Sequence, residues 1–126
     1  RDALFEFAEP RYLHQVVALT ENGILRCRDL PELAQKNPDW CNALAWRCHF
    51  HVPIQWRGND MLGTTRRDWE RTLEALNDLG QPYPHLEIET YTWSVLPRAL
   101  RPNGKEALQG AIAEEFRAVL PWIKSP

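Results

Sequence analysis

Arg47-Cys48-His49-Phe50-His51-Val52-Pro53-Ile54 is the stretch whose reading decides the fold. In an extended chain, successive side chains point to opposite faces. Cys48, Phe50, Val52 and Ile54 then share one side, and Arg47, His49 and His51 share the other. The first side is apolar and asks for a core. The second carries two imidazoles roughly 6.5–7 Å apart. The same logic returns at His85-Leu86-Glu87-Ile88-Glu89-Thr90-Tyr91. Leu86, Ile88 and Thr90 form its apolar side, and His85, Glu87, Glu89 and Tyr91 its polar side. Two histidines on one strand and two carboxylates on another predict an interior that does chemistry.

Working outward, the first strand spans 45–54 and the second 86–92. Pro53 falls near a strand end, where its missing N–H is tolerated. Between the strands lies a polar loop, 55–63, then a helix with Thr65 and Asp68 at its start. Trp69, Leu73, Leu76 and Leu79 make one face of that helix, and Gly80 ends it. Upstream, Pro10 opens another helix with Leu13, Val16, Val17 and Thr20 as its stripe, closed by Gly23. His14 beside that stripe reads as a surface or satisfied histidine. Ile24 to Cys27 reads as a connector. Asp29 and Glu32 form a capping-box pattern for a short helix, stopped by the turn signal Asn37-Pro38-Asp39. Downstream, Arg98 to Pro102 form a basic loop. Asn103 and Glu106 then cap a final helix carrying Leu108, Ile112, Phe116 and Val119, ended by Pro121. Helices alternating with strands predict an α/β fold with parallel strands and helical crossovers, one domain over 1–126.

Composition narrows the function classes. The chain has 126 residues, 44% hydrophobic and 25% charged, with 15 basic and 17 acidic side chains and a net charge of −2. A balance this even leaves no electrostatic footprint for nucleic acid and no polybasic membrane patch. No apolar run approaches the roughly 20 residues that span a bilayer. No n-region and h-region pair opens the chain. Three cysteines, Cys27, Cys41 and Cys48, without Cys-x-x-Cys spacing argue against a disulfide framework or zinc ribbon and predict a reducing, cytoplasmic setting.

His49-Phe50-His51, Leu62-Gly63-Thr64, Asp68-Trp69 and Leu86-Glu87-Ile88-Glu89 follow the order seen in xylose-isomerase-like TIM barrels, including ketose epimerases. Glu9-Pro10-Arg11-Tyr12-Leu13-His14-Gln15, His49-Phe50-His51-Val52-Pro53-Ile54, Leu62-Gly63-Thr64-Thr65 and Glu89-Thr90-Tyr91-Thr92-Trp93 resemble the EboE-like metabolite traffic proteins more closely. The resemblance covers nearly the whole chain. It implies the C-terminal third to half of a xylose-isomerase-like (β/α)8 barrel. A full barrel takes about 250 residues. Either an N-terminal half is missing or copies assemble as a homo-oligomer.

The resemblance also implies a site. His51 matches the metal-binding histidine of the epimerase Phe-His-x-Gly-Glu motif. Glu89 matches the carboxylate that is both metal ligand and proton-transfer base, hence the catalytic residue. Val52-Pro53 stands where the epimerases carry Gly-Glu, so their substrate contacts do not carry over. His49 and Glu87 would orient the ligands from behind, and Arg57 sits where such enzymes place a substrate-binding arginine. Imidazole and carboxylate donors together suit Zn²⁺ or Mn²⁺. Trp56 and Trp93, each just after a strand, would wall a pocket for a ring-containing or prenyl-like metabolite. His49 and His51 equally fit satisfied strand-end histidines beside Glu87 and Glu89. Three readings stay open: a metal-dependent sugar isomerase or epimerase, a non-catalytic carrier or binding subunit for an apolar or cyclic small-molecule metabolite, and a truncated barrel inactive alone.

Overall fold

The computed structural model describes residues 2–35, 38–80 and 82–123. The chain divides into two compact units, Arg1–Phe50 and His51–Pro126. The first opens with a short helix, α1 (Asp2–Phe5), and holds a three-stranded sheet of β1 (Val16–Thr20), β2 (Gly23–Cys27) and β3 (Ala45–Cys48) in the order β2-β1-β3. Both pairings are antiparallel, with Val16 opposite Cys27 on one side and Cys48 on the other. This corrects the parallel (β/α)8 expectation.

The correction starts at residues 10–23, where a helix was expected and a hairpin forms. Val16, Val17 and Thr20 are spaced for either structure, but β-branched side chains favour the strand. The deciding residues are Asn22-Gly23: Asn22 closes a two-residue turn with Glu21, and Gly23 follows at a positive φ that glycine adopts without strain. Thr20 pairs with Gly23 across a two-residue turn, and Gly23 takes φ 127° instead of capping a helix. Thr20 secures the turn: its hydroxyl donates to the Gly23 carbonyl (2.9 Å) and accepts the Asn22 N–H (3.2 Å). A hairpin this tight makes β1 and β2 antiparallel by necessity.

Alternation then sorts the sheet. Val16 and Ala18 are buried on the face shared with Cys27, Leu25, Cys48 and Trp46. Among the described residues, Leu4, Phe7, Leu30, Leu33 and Trp40 add to the buried apolar set of this unit. Trp40 packs on Trp46 (5.6 Å between rings) and Phe7 stacks on Phe50 (4.9 Å). The segment after Asp29 is a 3-10 helix, Leu30–Gln35, followed by a 3-10 turn at Pro38–Trp40. Asn37 of the expected turn lies outside the described residues.

The strand expected over 45–54 stops at Cys48; one further bond, His49 N–H to the Gln15 carbonyl (2.9 Å), continues the pairing. The strand expected over 86–92 does not form: 82–90 has no ladder, and Tyr91–Val95 closes into a 3-10 helix.

The second unit holds α2 (Arg66–Leu79) and α3 (Lys105–Val119). α2 ends as its sequence predicts, on Gly80 in the left-handed region. Its start differs in detail, since Thr65 makes no capping bond and the Thr64 hydroxyl accepts the Arg66 N–H (3.3 Å). Asn103 likewise gives way to Gly104 at the start of α3. Leu73, Trp93, Leu96 and Val119 are buried, and Trp69 meets Trp122 edge-on at 6.1 Å.

Packing also sets thiol chemistry. Burial, aided by the negative charge of Asp29, pushes the Cys48 thiol from 9.0 up to about 12. The folded state therefore keeps a proton that the unfolded chain releases. The thiol's contribution to stability is whole below pH 9.0 and is lost as pH rises towards about 12. Iodoacetamide at pH 8 is expected to alkylate exposed Cys41 and spare Cys48 until denaturant is added. Peptide mass spectrometry showing Cys48 and Cys41 reacting at equal rates would contradict this packing.

Candidate functional site

Inside the second unit, His51 and Glu89 come together. His51 Nε2 lies 3.2 Å from Glu89 Oε2, with the side chains 26% and 54% exposed, so the pair is open to a ligand. The Tyr91 ring sits beside the imidazole, 6.2 Å between centroids at an interplanar angle of 46°. Strand alternation placed Glu89 and Tyr91 on one side of their segment. The structure keeps them near the same imidazole, although neither 51–54 nor 82–90 lies in a ladder.

A residue that the sequence reading did not single out ties these segments together. Glu115 is 2% exposed. Its Oε1 accepts the Ile54 N–H (3.3 Å) and its Oε2 accepts the Trp93 indole N–H (3.1 Å). Burial raises its pKa, opposed by these two hydrogen bonds to the charged form. The available signal was weak: a glutamate next to Phe116 on an otherwise amphipathic helix looks like a solvated charge.

The other expected site residues scatter. Trp93 is buried and its N–H is committed to Glu115, so it belongs to the core of its unit. Trp56 is half-buried and donates its backbone N–H to the Pro53 carbonyl (2.8 Å). Arg57 and Glu87 are exposed. His49 belongs to the first unit, where its Nδ1 lies 3.1 Å from Gln15 Oε1.

The loop after the first segment is built rather than slack. Asn59 Oδ1 accepts the N–H groups of Met61 (2.9 Å) and Leu62 (2.8 Å), and Asn59 N–H donates to the Leu62 carbonyl (2.9 Å). This is the local side-chain turn that asparagine favours. Gly58 enters it at φ 90°.

The first unit holds its own polar cluster. His14 is 4% exposed, and a carboxylate faces each ring nitrogen. Nδ1 is 3.3 Å from Asp29 Oδ1 and Nε2 is 3.6 Å from Glu9 Oε1. Asp29 also accepts the His14 backbone N–H (3.0 Å), and Glu9 accepts those of Arg11 (2.7 Å) and Tyr12 (2.9 Å). Asp29, expected to cap a helix, spends its side chain here.

A resident zinc takes at least three protein ligands. Among the described residues no three His, Cys, Asp or Glu side chains form such a group. His51 and Glu89 supply two donors, which do not by themselves make a resident metal site. No helix among the described residues is long and apolar enough to cross a membrane. Comparison with family models, with curated proteins and with solved structures returns no match.

Proposed function

We propose that this chain binds a small polar metabolite, a sugar or similar polyol, at His51, Glu89 and Tyr91, and acts as a carrier in metabolite traffic. The observation that supports it is the partly exposed imidazole–carboxylate pair, 3.2 Å apart, with an aromatic ring alongside. A donor and an acceptor side by side match a pair of neighbouring hydroxyls, and the exposed Tyr91 ring offers an apolar face for a ring-shaped ligand. The motif resemblance to metabolite traffic proteins leads the same way. A reducing, cytoplasmic setting belongs to this reading, and the odd cysteine count and spacing of Cys27, Cys41 and Cys48 support it.

The same 3.2 Å favours a second reading. It is the separation of neighbouring ligands on a divalent ion with bonds of about 2.1 Å. Zn²⁺ or Mn²⁺ would then be recruited together with the metabolite, and Glu89 would be the proton-transfer base of an isomerase-like reaction.

Calorimetry against a panel of pentoses, hexoses and polyols, with and without Zn²⁺ or Mn²⁺, separates the readings. The carrier reading expects metal-free binding that weakens about tenfold, or about 1.4 kcal/mol, in both His51→Ala and Glu89→Ala. Affinity unchanged in both variants sinks it. Binding that requires the ion, with substrate protons exchanging into D₂O, selects the second reading.

A further inference from the structure

The His51 cluster is assembled from two segments that no ladder holds together, so something else must hold them. We infer that Glu115 is its positioning residue, the clamp that keeps the His51 segment against the segment carrying Glu89 and Tyr91. This rests on the binding reading of that cluster and extends it to a residue outside it.

The geometry is specific. Ile54, whose N–H donates to Oε1, stands three residues beyond His51 with the rigid Pro53 between them. Trp93, whose indole donates to Oε2, stands two residues beyond Tyr91 within the same 3-10 helix. One carboxylate therefore joins both segments close to the residues that meet at the site. It does so from α3, a fifteen-residue helix that supplies a rigid base.

The choice of glutamate is explained by the donors. Both partners are N–H groups, so both side-chain oxygens must accept. Glutamine offers one accepting oxygen and turns its NH₂ towards the second donor. Burying a carboxylate is costly, and its raised pKa reflects that cost. A buried acid retained on these terms makes sense where both acceptors are needed.

The test reads the site without a ligand, so it stands or falls independently of metabolite binding. In wild-type protein, NMR is expected to show an NOE between the His51 and Tyr91 ring protons. Glu115→Gln and, as a second variant that keeps the carboxylate and an aromatic ring, Trp93→Phe each remove one clamp bond. A loosening of about 1 Å is enough to cut that NOE about threefold through its sixth-power distance dependence. Val119→Ala, one turn further along α3 at a buried position, is the control for destabilisation alone. An NOE weakened about threefold or more in the two clamp variants but not in Val119→Ala supports the assignment. An NOE of wild-type strength in the clamp variants, or one weakened equally in Val119→Ala, overturns it. If the NOE behaves as expected while His51→Ala leaves metabolite affinity unchanged, the clamp stands and the binding reading fails.

Discussion

Replacing His14 with alanine is expected to destabilise the protein by about 3 kcal/mol, seen as a lower urea midpoint with an unchanged slope. Two losses combine. The ring is buried and packs on Phe50 (5.4 Å between centroids), so its removal leaves a cavity. It also separates two carboxylates whose side chains are only 14% and 22% exposed. Taking away the group between them leaves Glu9 and Asp29 facing a void. The cost stays below the upper end for broken buried pairs because each carboxylate keeps backbone donors, Arg11 and Tyr12 for Glu9 and His14 itself for Asp29. Adding Asp29→Asn to His14→Ala should recover part of the loss, since one of the two stranded charges disappears. Full additivity of the two substitutions would show that the histidine and the aspartate do not act as a unit.

Gly58→Ala is expected to cost about 2 kcal/mol, a fall in Tm of roughly 6–10 °C for a chain of this size. Gly58 sits at φ 90°, where an L side chain is strained, and a Cβ built there would overlap the Leu62 carbonyl oxygen. That oxygen cannot move freely, because it accepts the Asn59 N–H inside the Asn59 turn. The loop must open, breaking that bond and with it the Asn59 side-chain bonds to Met61 and Leu62. Gly63→Ala is the matched control. Nothing lies within 4 Å of a Cβ at that position and its φ is ordinary, so its Tm should stay within a few degrees of wild type. Equal effects from the two glycines would mean that the loop is not held as described.

Helices were legible where the apolar period was long and the stop signal strong. Trp69, Leu73 and Leu76 with Gly80 located α2, and Leu108, Ile112 and Val119 located α3, each to within about two residues. The first third of the chain misled because Val16, Val17 and Thr20 fit two periods at once. Asn22-Gly23 carried the answer, and reading Gly23 as a helix stop set it aside. From that one turn the whole topology changed, since an antiparallel hairpin removes the crossover that parallel strands require. The second strand failed for another reason. Alternation over 86–91 describes an extended segment, and an extended segment becomes a strand only when a partner edge is in reach.

What the sequence determined by itself is local: which segments can be helix, which must be extended, where glycine has to turn the chain, and that His51 and Glu89 share their segments' polar sides. These follow from backbone sterics and from periods of 3.6 and 2, which act over a few residues. Tertiary structure alone decided which extended segments pair, that His14 meets Asp29 fifteen residues away, and that Glu115 meets Ile54 sixty-one residues away. Such contacts depend on which buried donors find acceptors once the chain has collapsed. A carboxylate's spacing in sequence does not reveal whether it will face water or a buried N–H.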